Sequence, residues 1–154
     1  MCREVSAFVE IRADCLRQIP GITVNLDLKE PGLLDDAADI AAETLLSQGI
    51  FRLNGVILSH YDRDHAGGAT NLLTRIDADV LYLPDCLDTD GYSAPLLAME
   101  NALLVDSNME ITFGDTKISL ITTDYGFTNN ESGLCVLFTV GKYDILITEE
   151  SFFR

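Results

Sequence analysis

Apolar residues recur along this chain in short runs whose spacing switches between two and about 3.6, and those switches divide it into elements. Residues 5–11 and 22–28 read as β segments, with the break at Pro20-Gly21. Asp35-Asp36 supplies an N-cap, and Ala37, Ile40, Ala41, Thr44 and Leu45 follow at helical spacing until Gly49 stops the helix. Residues 53–59 (LNGVILS) form a short apolar run of the kind that fits a buried strand. The pattern predicts a helix over 66–76, a strand over 79–83 (DVLYL), and a helix over 93–104. The apolar face of that last helix would carry Leu96, Leu97, Met99, Ala102 and Leu103. Residues 110–123 predict a hairpin turning at Gly114-Asp115. A second hairpin, 134–140 with 143–148, turns at Gly141-Lys142. Strands, helices and hairpins mixed in this way imply an α/β fold with antiparallel parts. No repeat, low-complexity tract or linker interrupts the chain, so residues 1–154 read as a single domain.

A chain of this length can bury a core without disulfides. Its four cysteines (Cys2, Cys15, Cys86, Cys135) are far apart and form no Cys-x-x-Cys pair, so they read as small core residues. Charge changes the picture more. With 10 basic and 25 acidic side chains the net charge is −15. Affinity for a polyanion comes from Lys and Arg displacing counterions, so nucleic acid gains nothing from this field unless basic regions elsewhere supply it. Cations are favoured. No apolar run reaches the ~20 residues that span a bilayer, and Met1-Cys2-Arg3-Glu4 lacks a signal-peptide core. A soluble segment without membrane contact is expected.

Chemistry concentrates in the stretch from Gly55 to Gly68 (GVILSHYDRDHAGG). Both histidines of the chain, His60 and His65, lie here with Asp62 and Asp64, directly after the buried strand. In open α/β sheets ligands bind at this end of the strands. Burying four such polar groups without a cation would be expensive. Imidazole and carboxylate at alternating positions suit Zn²⁺ or Mn²⁺, one or two ions. Tyr61 and Arg63 point away between the candidate ligands, and Gly67-Gly68 would let a helix start tight against the loop. The acidic string Asp85, Asp88, Asp90 reads as a solvated loop.

The H-x-D-x-D-H segment resembles the signature H-x-H-x-D-H of the metallo-β-lactamase superfamily. With Asp62 at the second-histidine position, it looks most like the metallo-β-lactamase domain of ComEC-family DNA-uptake proteins. Residues 22–27 (ITVNLD), Gly49-Ile50, the run 53–58, 79–84 (DVLYLP), Phe113-Gly114-Asp115 and Asn129-Asn130-Glu131-Ser132 look like further landmarks of that family. The resemblance implies an αββα sandwich, here truncated to its first half plus the start of the second. It implies a two-metal hydrolase in which His60 and Asp62 serve one ion and Asp64 and His65 the other. Asp64 would also orient the attacking hydroxide and handle its proton. Asn129, Asn130 and Ser132 would stand at the metal or substrate edge.

Three departures bear on activity. The family's early Gly-Gln-Gly-Asp turn stands here as Arg12-Ala13-Asp14. Its Thr-Gly-Asp, whose Asp bridges two metals, stands as Thr148-Glu149-Glu150, so Glu150 would have to ligate in its place. Arg154 comes before the family's later His-His-Gly-Ser segment. Expected functions are therefore phosphodiester or nucleic-acid hydrolysis; hydrolysis of a thioester, lactone or small phosphoester; or a degenerate metal-binding remnant. An uncovered sheet face in a half-domain predicts a homodimer. A ComEC-like parent would place the segment on the extracytoplasmic side of a membrane, and a free-standing hydrolase in the cytoplasm.

Overall fold

A computed structural model of the chain describes residues 8–10, 34–124 and 132–147. Ten strands and four helices lie in them: β1 (Phe8–Glu10), α1 (Leu34–Ser47), β2 (Arg52–Leu53), β3 (Gly55–Ile57), α2 (Arg63–Ala66), α3 (Ala69–Arg75) and β4 (Asp77–Ala78) come first. They continue as β5 (Leu81–Pro84), α4 (Ser93–Leu97), β6 (Ala102–Val105), β7 (Met109–Phe113), β8 (Thr116–Asp124), β9 (Ser132–Val140) and β10 (Tyr143–Ile147). β1, β3, β5 and β6 form a parallel sheet in the order β1-β3-β5-β6. β7 to β10 form an antiparallel meander, and β2 pairs with β4 in a short parallel ribbon.

The two inner parallel strands, β3 and β5, are buried on both faces, and their side chains alternate between two cores. Val56 and Leu58, with Leu81 and Leu83, face Ala38, Ala41, Leu45 and Leu72 of the helix layer. The residues between them, Ile57 and Tyr82, face Ile118, Leu120, Leu134, Val136 and Phe138 of the antiparallel sheet. Period-two alternation thus produces a three-layer stack: helices, parallel sheet, antiparallel sheet. Each fully buried aliphatic side chain in such a core contributes about 1.5–3 kcal/mol. The stack contains the first three layers of the α/β sandwich expected from the sequence.

Local chemistry explains the element ends. α1 terminates in a Schellman motif: Ile50 N–H reaches Leu45 O at 2.9 Å, and Gly49 N–H reaches Leu46 O at 2.9 Å. Gly49 takes φ +76°, which only glycine adopts without strain, and Ile50 and Leu45 pack together in the helix-side core. Asp35-Asp36 were expected to cap α1, but the helix already starts at Leu34, so the two residues lie within it. Both expected hairpins form with their two-residue turns, Phe113 pairing with Thr116 and Val140 with Tyr143.

Three further expectations are corrected. The strand expected over 53–59 is broken at Asn54 into β2 and β3, because Leu53 pairs with Ala78 while Val56 pairs with Val9 and Leu81. The helix expected from Ala66 starts at Arg63 and is interrupted at Gly67-Gly68, giving α2 and α3. The helix expected over 93–104 stops at Leu97. Residues Ala102–Val105 instead pair in parallel with Leu81–Pro84, which extends the sheet by one strand. The segment 22–28 and the turn Arg12-Ala13-Asp14 lie outside the described residues.

Candidate metal centre

β3 is the central carrier of the site. After Ile57 the chain leaves the sheet, and Leu58 N–H still bonds Tyr82 O at 3.0 Å. The next residues, Ser59, His60 and Tyr61, are all buried. Asp62 then takes an extended conformation at the N-cap of α2 (φ −63°, ψ 151°). One helical turn follows, with the N–H groups of His65 and Ala66 bonding Asp62 O at 2.9 and 2.8 Å. That turn folds His65 back onto the start of the loop. The His60 and His65 ring centroids lie 3.9 Å apart, tilted by 45°.

Asp62 makes no side-chain cap hydrogen bond. Its carboxylate faces His60 instead, with Nε2 to Oδ2 at 3.7 Å and side chains 4% and 21% exposed. That separation is too long for a hydrogen bond. It is close to the ~3.4 Å edge shared by two donors on a tetrahedral ion with bond lengths of about 2.0–2.1 Å. Two imidazoles in contact and a carboxylate at this distance form a borderline donor set suited to Zn²⁺, Mn²⁺ or iron. Among the described side chains no three His, Cys, Asp or Glu groups form a complete ion-holding set. The spacing of His60 and Asp62 fits two donors of one coordination shell. The side chain of Asp64 lies outside the described residues, as do Asn129, Asn130 and Glu150. Ser132 begins β9 opposite Asp124.

Two neighbours of His60, neither given a role from the sequence, fasten the loop. Ser59 O accepts the N–H of Leu134 at 2.8 Å, which ties the loop to β9 in the other sheet. Ser59 Oγ lies 3.1 Å from His60 Nδ1. Tyr61 points into the helix-side core and its hydroxyl donates to Pro84 O at 2.9 Å, tying the loop to the end of β5. Burial, reinforced by the charge of Cys86, Asp88 and Asp85, holds its phenol protonated far above the ordinary range. The only signal for these roles was position: a hydroxyl and an aromatic flanking the first histidine after an apolar strand. Arg63, by contrast, is exposed.

Within the acidic loop, Asp85 and Asp90 are exposed and Asp88 is half-buried. Desolvation pushes the Asp88 carboxyl up, but hydrogen bonds from Ser93, Gly91 and Asp90 outweigh it and hold the pKa below the ordinary value. The N–H donors stand 2.7, 2.8 and 3.0 Å away. Asp88 thus organises the entry to α4.

The model of the metallo-beta-lactamase superfamily matches residues 25–127, a span that includes the whole His/Asp loop, and the chain belongs to that superfamily. Among solved structures, the metallo-β-lactamase SMB-1 bound to 2-mercaptoethanesulfonate has a TM-score of 0.56 at 13% identity, covering 74% of this chain and 50% of its own. MEM-A1, a subclass B3 metallo-β-lactamase from a soil metagenome library, gives 0.52 at 15%, covering 73% and 47%. The Rm3 metallo-β-lactamase gives 0.51 at 15%, covering 78% and 52%. These likenesses are of fold, and the chain spans about half the length of those structures. No curated protein sequence matches it. None of the described helices is long and apolar enough to cross a membrane.

Proposed function

We propose that this chain is a metal-dependent hydrolase whose substrate is a phosphodiester, with nucleic acid the substrate class if basic regions elsewhere hold it. The observation that supports this reading is the His60–Asp62–His65 cluster, gathered at the C-terminal end of a central parallel strand in a superfamily member. Asp62, where the family signature has a histidine, is the feature shared with ComEC-family proteins, and it is what favours a phosphodiester.

A divalent ion bound here would supply a water acidified to near neutral pH and an electrophile for the scissile bond. The protein's part is to hold and orient. His60 and Asp62 would hold one ion. His65, brought back by the turn of α2, would serve a second position with Asp64. Asp64 is the group assigned to receive the proton of the attacking water, and Glu150 the one assigned to bridge. A second reading, hydrolysis of an uncharged thioester or lactone, is favoured by the net charge of −15, which repels phosphodiesters at long range.

Metal content per chain, measured after purification without chelator, tests the proposal in the unmutated protein, His60→Ala and Asp64→Ala. One or two equivalents of Zn or Mn, lost in both variants, are expected. So is Mn²⁺-dependent cleavage of a chromogenic phosphodiester. Cleavage of a lactone or thioester alone would move the assignment to the second reading. No metal in the unmutated protein, even after reconstitution, would leave a degenerate scaffold.

A further inference from the structure

His60 is the more buried of the two described histidines, and the group against its far nitrogen comes from its own neighbour in the chain. Ser59 is 4% exposed, and its Oγ lies 3.1 Å from His60 Nδ1. The backbone on which that hydroxyl stands is fixed too, since Ser59 O holds the Leu134 N–H of β9 at 2.8 Å. A neutral imidazole carries one proton, and only the nitrogen without it can ligate a cation. Whatever bonds one ring nitrogen therefore decides the chemistry of the other. If Ser59 Oγ accepts from Nδ1–H, the lone pair of Nε2 is directed toward Asp62 Oδ2, 3.7 Å away. If Ser59 donates to Nδ1, the proton sits on Nε2 and blocks ligation.

Resting on the metal-centre reading above, we propose that Ser59 is a positioning residue. Its buried hydroxyl fixes His60 in the Nδ1–H tautomer and so presents Nε2 to a divalent cation. The second bond of the same residue, to β9, makes the antiparallel sheet part of the device: the tautomer is set only while the two sheets are docked.

The experiment reads the tautomer directly, by ¹⁵N NMR of imidazole-labelled, metal-stripped protein above the ordinary imidazole pKa. With two histidines in the chain, His65→Gln assigns the resonances. The unmutated protein and Ser59→Thr should show an unprotonated Nε2 on His60. Ser59→Ala should lose that preference and bind Zn²⁺ about 10–100-fold more weakly in competition with a chromophoric chelator. Ser59→Thr should bind within a few-fold of the unmutated protein. A protonated Nε2 in the unmutated protein overturns the proposal even if Ser59→Ala fails to fold. An unchanged tautomer and affinity in a folded Ser59→Ala overturns it as well. Absence of Zn²⁺ binding, with the Nδ1–H tautomer present and lost in Ser59→Ala, overturns the metal reading alone and leaves Ser59's control of the ring standing.

Discussion

Tyr61 illustrates how a residue beside a candidate ligand becomes structural. Its ring is 1% exposed in the helix-side core, and its hydroxyl is the donor to Pro84 O. Tyr61→Phe keeps the ring but leaves that buried carbonyl without this donor, so a loss of about 1–2 kcal/mol is expected in urea denaturation. The pH dependence has a definite sign. The folded-state pKa is raised above the unfolded one, so the stability it represents is complete below the ordinary phenol value of about 10. It is lost as pH rises through the folded value. The unmutated protein should lose stability as pH rises above about 10, and Tyr61→Phe should show a shallower decline. Tyr82, also raised by burial, keeps the remaining slope from vanishing. Equal alkaline slopes in the two proteins would show that Tyr61 does not carry the effect.

The elements differ in how plainly their sequences announce them. α1 was legible because its apolar spacing and the stop at Gly49 agree, although it starts at Leu34, ahead of the cap expected at Asp35-Asp36. The gathering of His60, Asp62 and His65 after β3 was legible because two histidines and two aspartates directly follow an apolar run. The extension of the sheet by Ala102–Val105 was not. Leu96, Met99 and Leu103 satisfy a helical period, while the partner that makes 102–105 a strand is the edge of β5, some twenty residues earlier in the chain. Ser59 and Tyr61 were missed for a similar reason, since their bonds run to β9 and to the end of β5, and no local pattern reports those. The Schellman end of α1 can be tested at this scale. A Cβ added at Gly49 meets nothing within 4 Å, so the cost of Gly49→Ala is that of the positive φ alone. A loss of about 1–2 kcal/mol is expected. Gly49→Asn should lose less, because asparagine tolerates the left-handed region. Equal losses in the two variants would point to a packing role for the glycine instead.

For the whole molecule, charge and site make opposing demands. On the proposed function the His/Asp loop attracts a cation, and the surplus of 25 acidic over 10 basic side chains strengthens that attraction. The same surplus works against the phosphodiester substrate proposed above. Long-range repulsion falls with salt, whereas an ion held at His60 and Asp62 acts locally, within a Debye length of about 10 Å at 0.1 M salt. The two contributions therefore separate in a titration of labelled single-stranded DNA followed by anisotropy. Without divalent ions, binding should be weaker than the ~10⁻⁴ M that marks the feeble end of non-specific association. It should improve, not weaken, as monovalent salt rises. With Mn²⁺ present, the unmutated protein should gain affinity that His60→Ala does not. Tight binding that falls steeply with salt in the absence of metal would require a basic patch the composition argues against, and nucleic acid would then be held by something other than the metal loop. No binding in either condition, together with hydrolysis of a lactone or thioester, would mean that the acidic surface selects against phosphodiesters and that the loop serves an uncharged substrate.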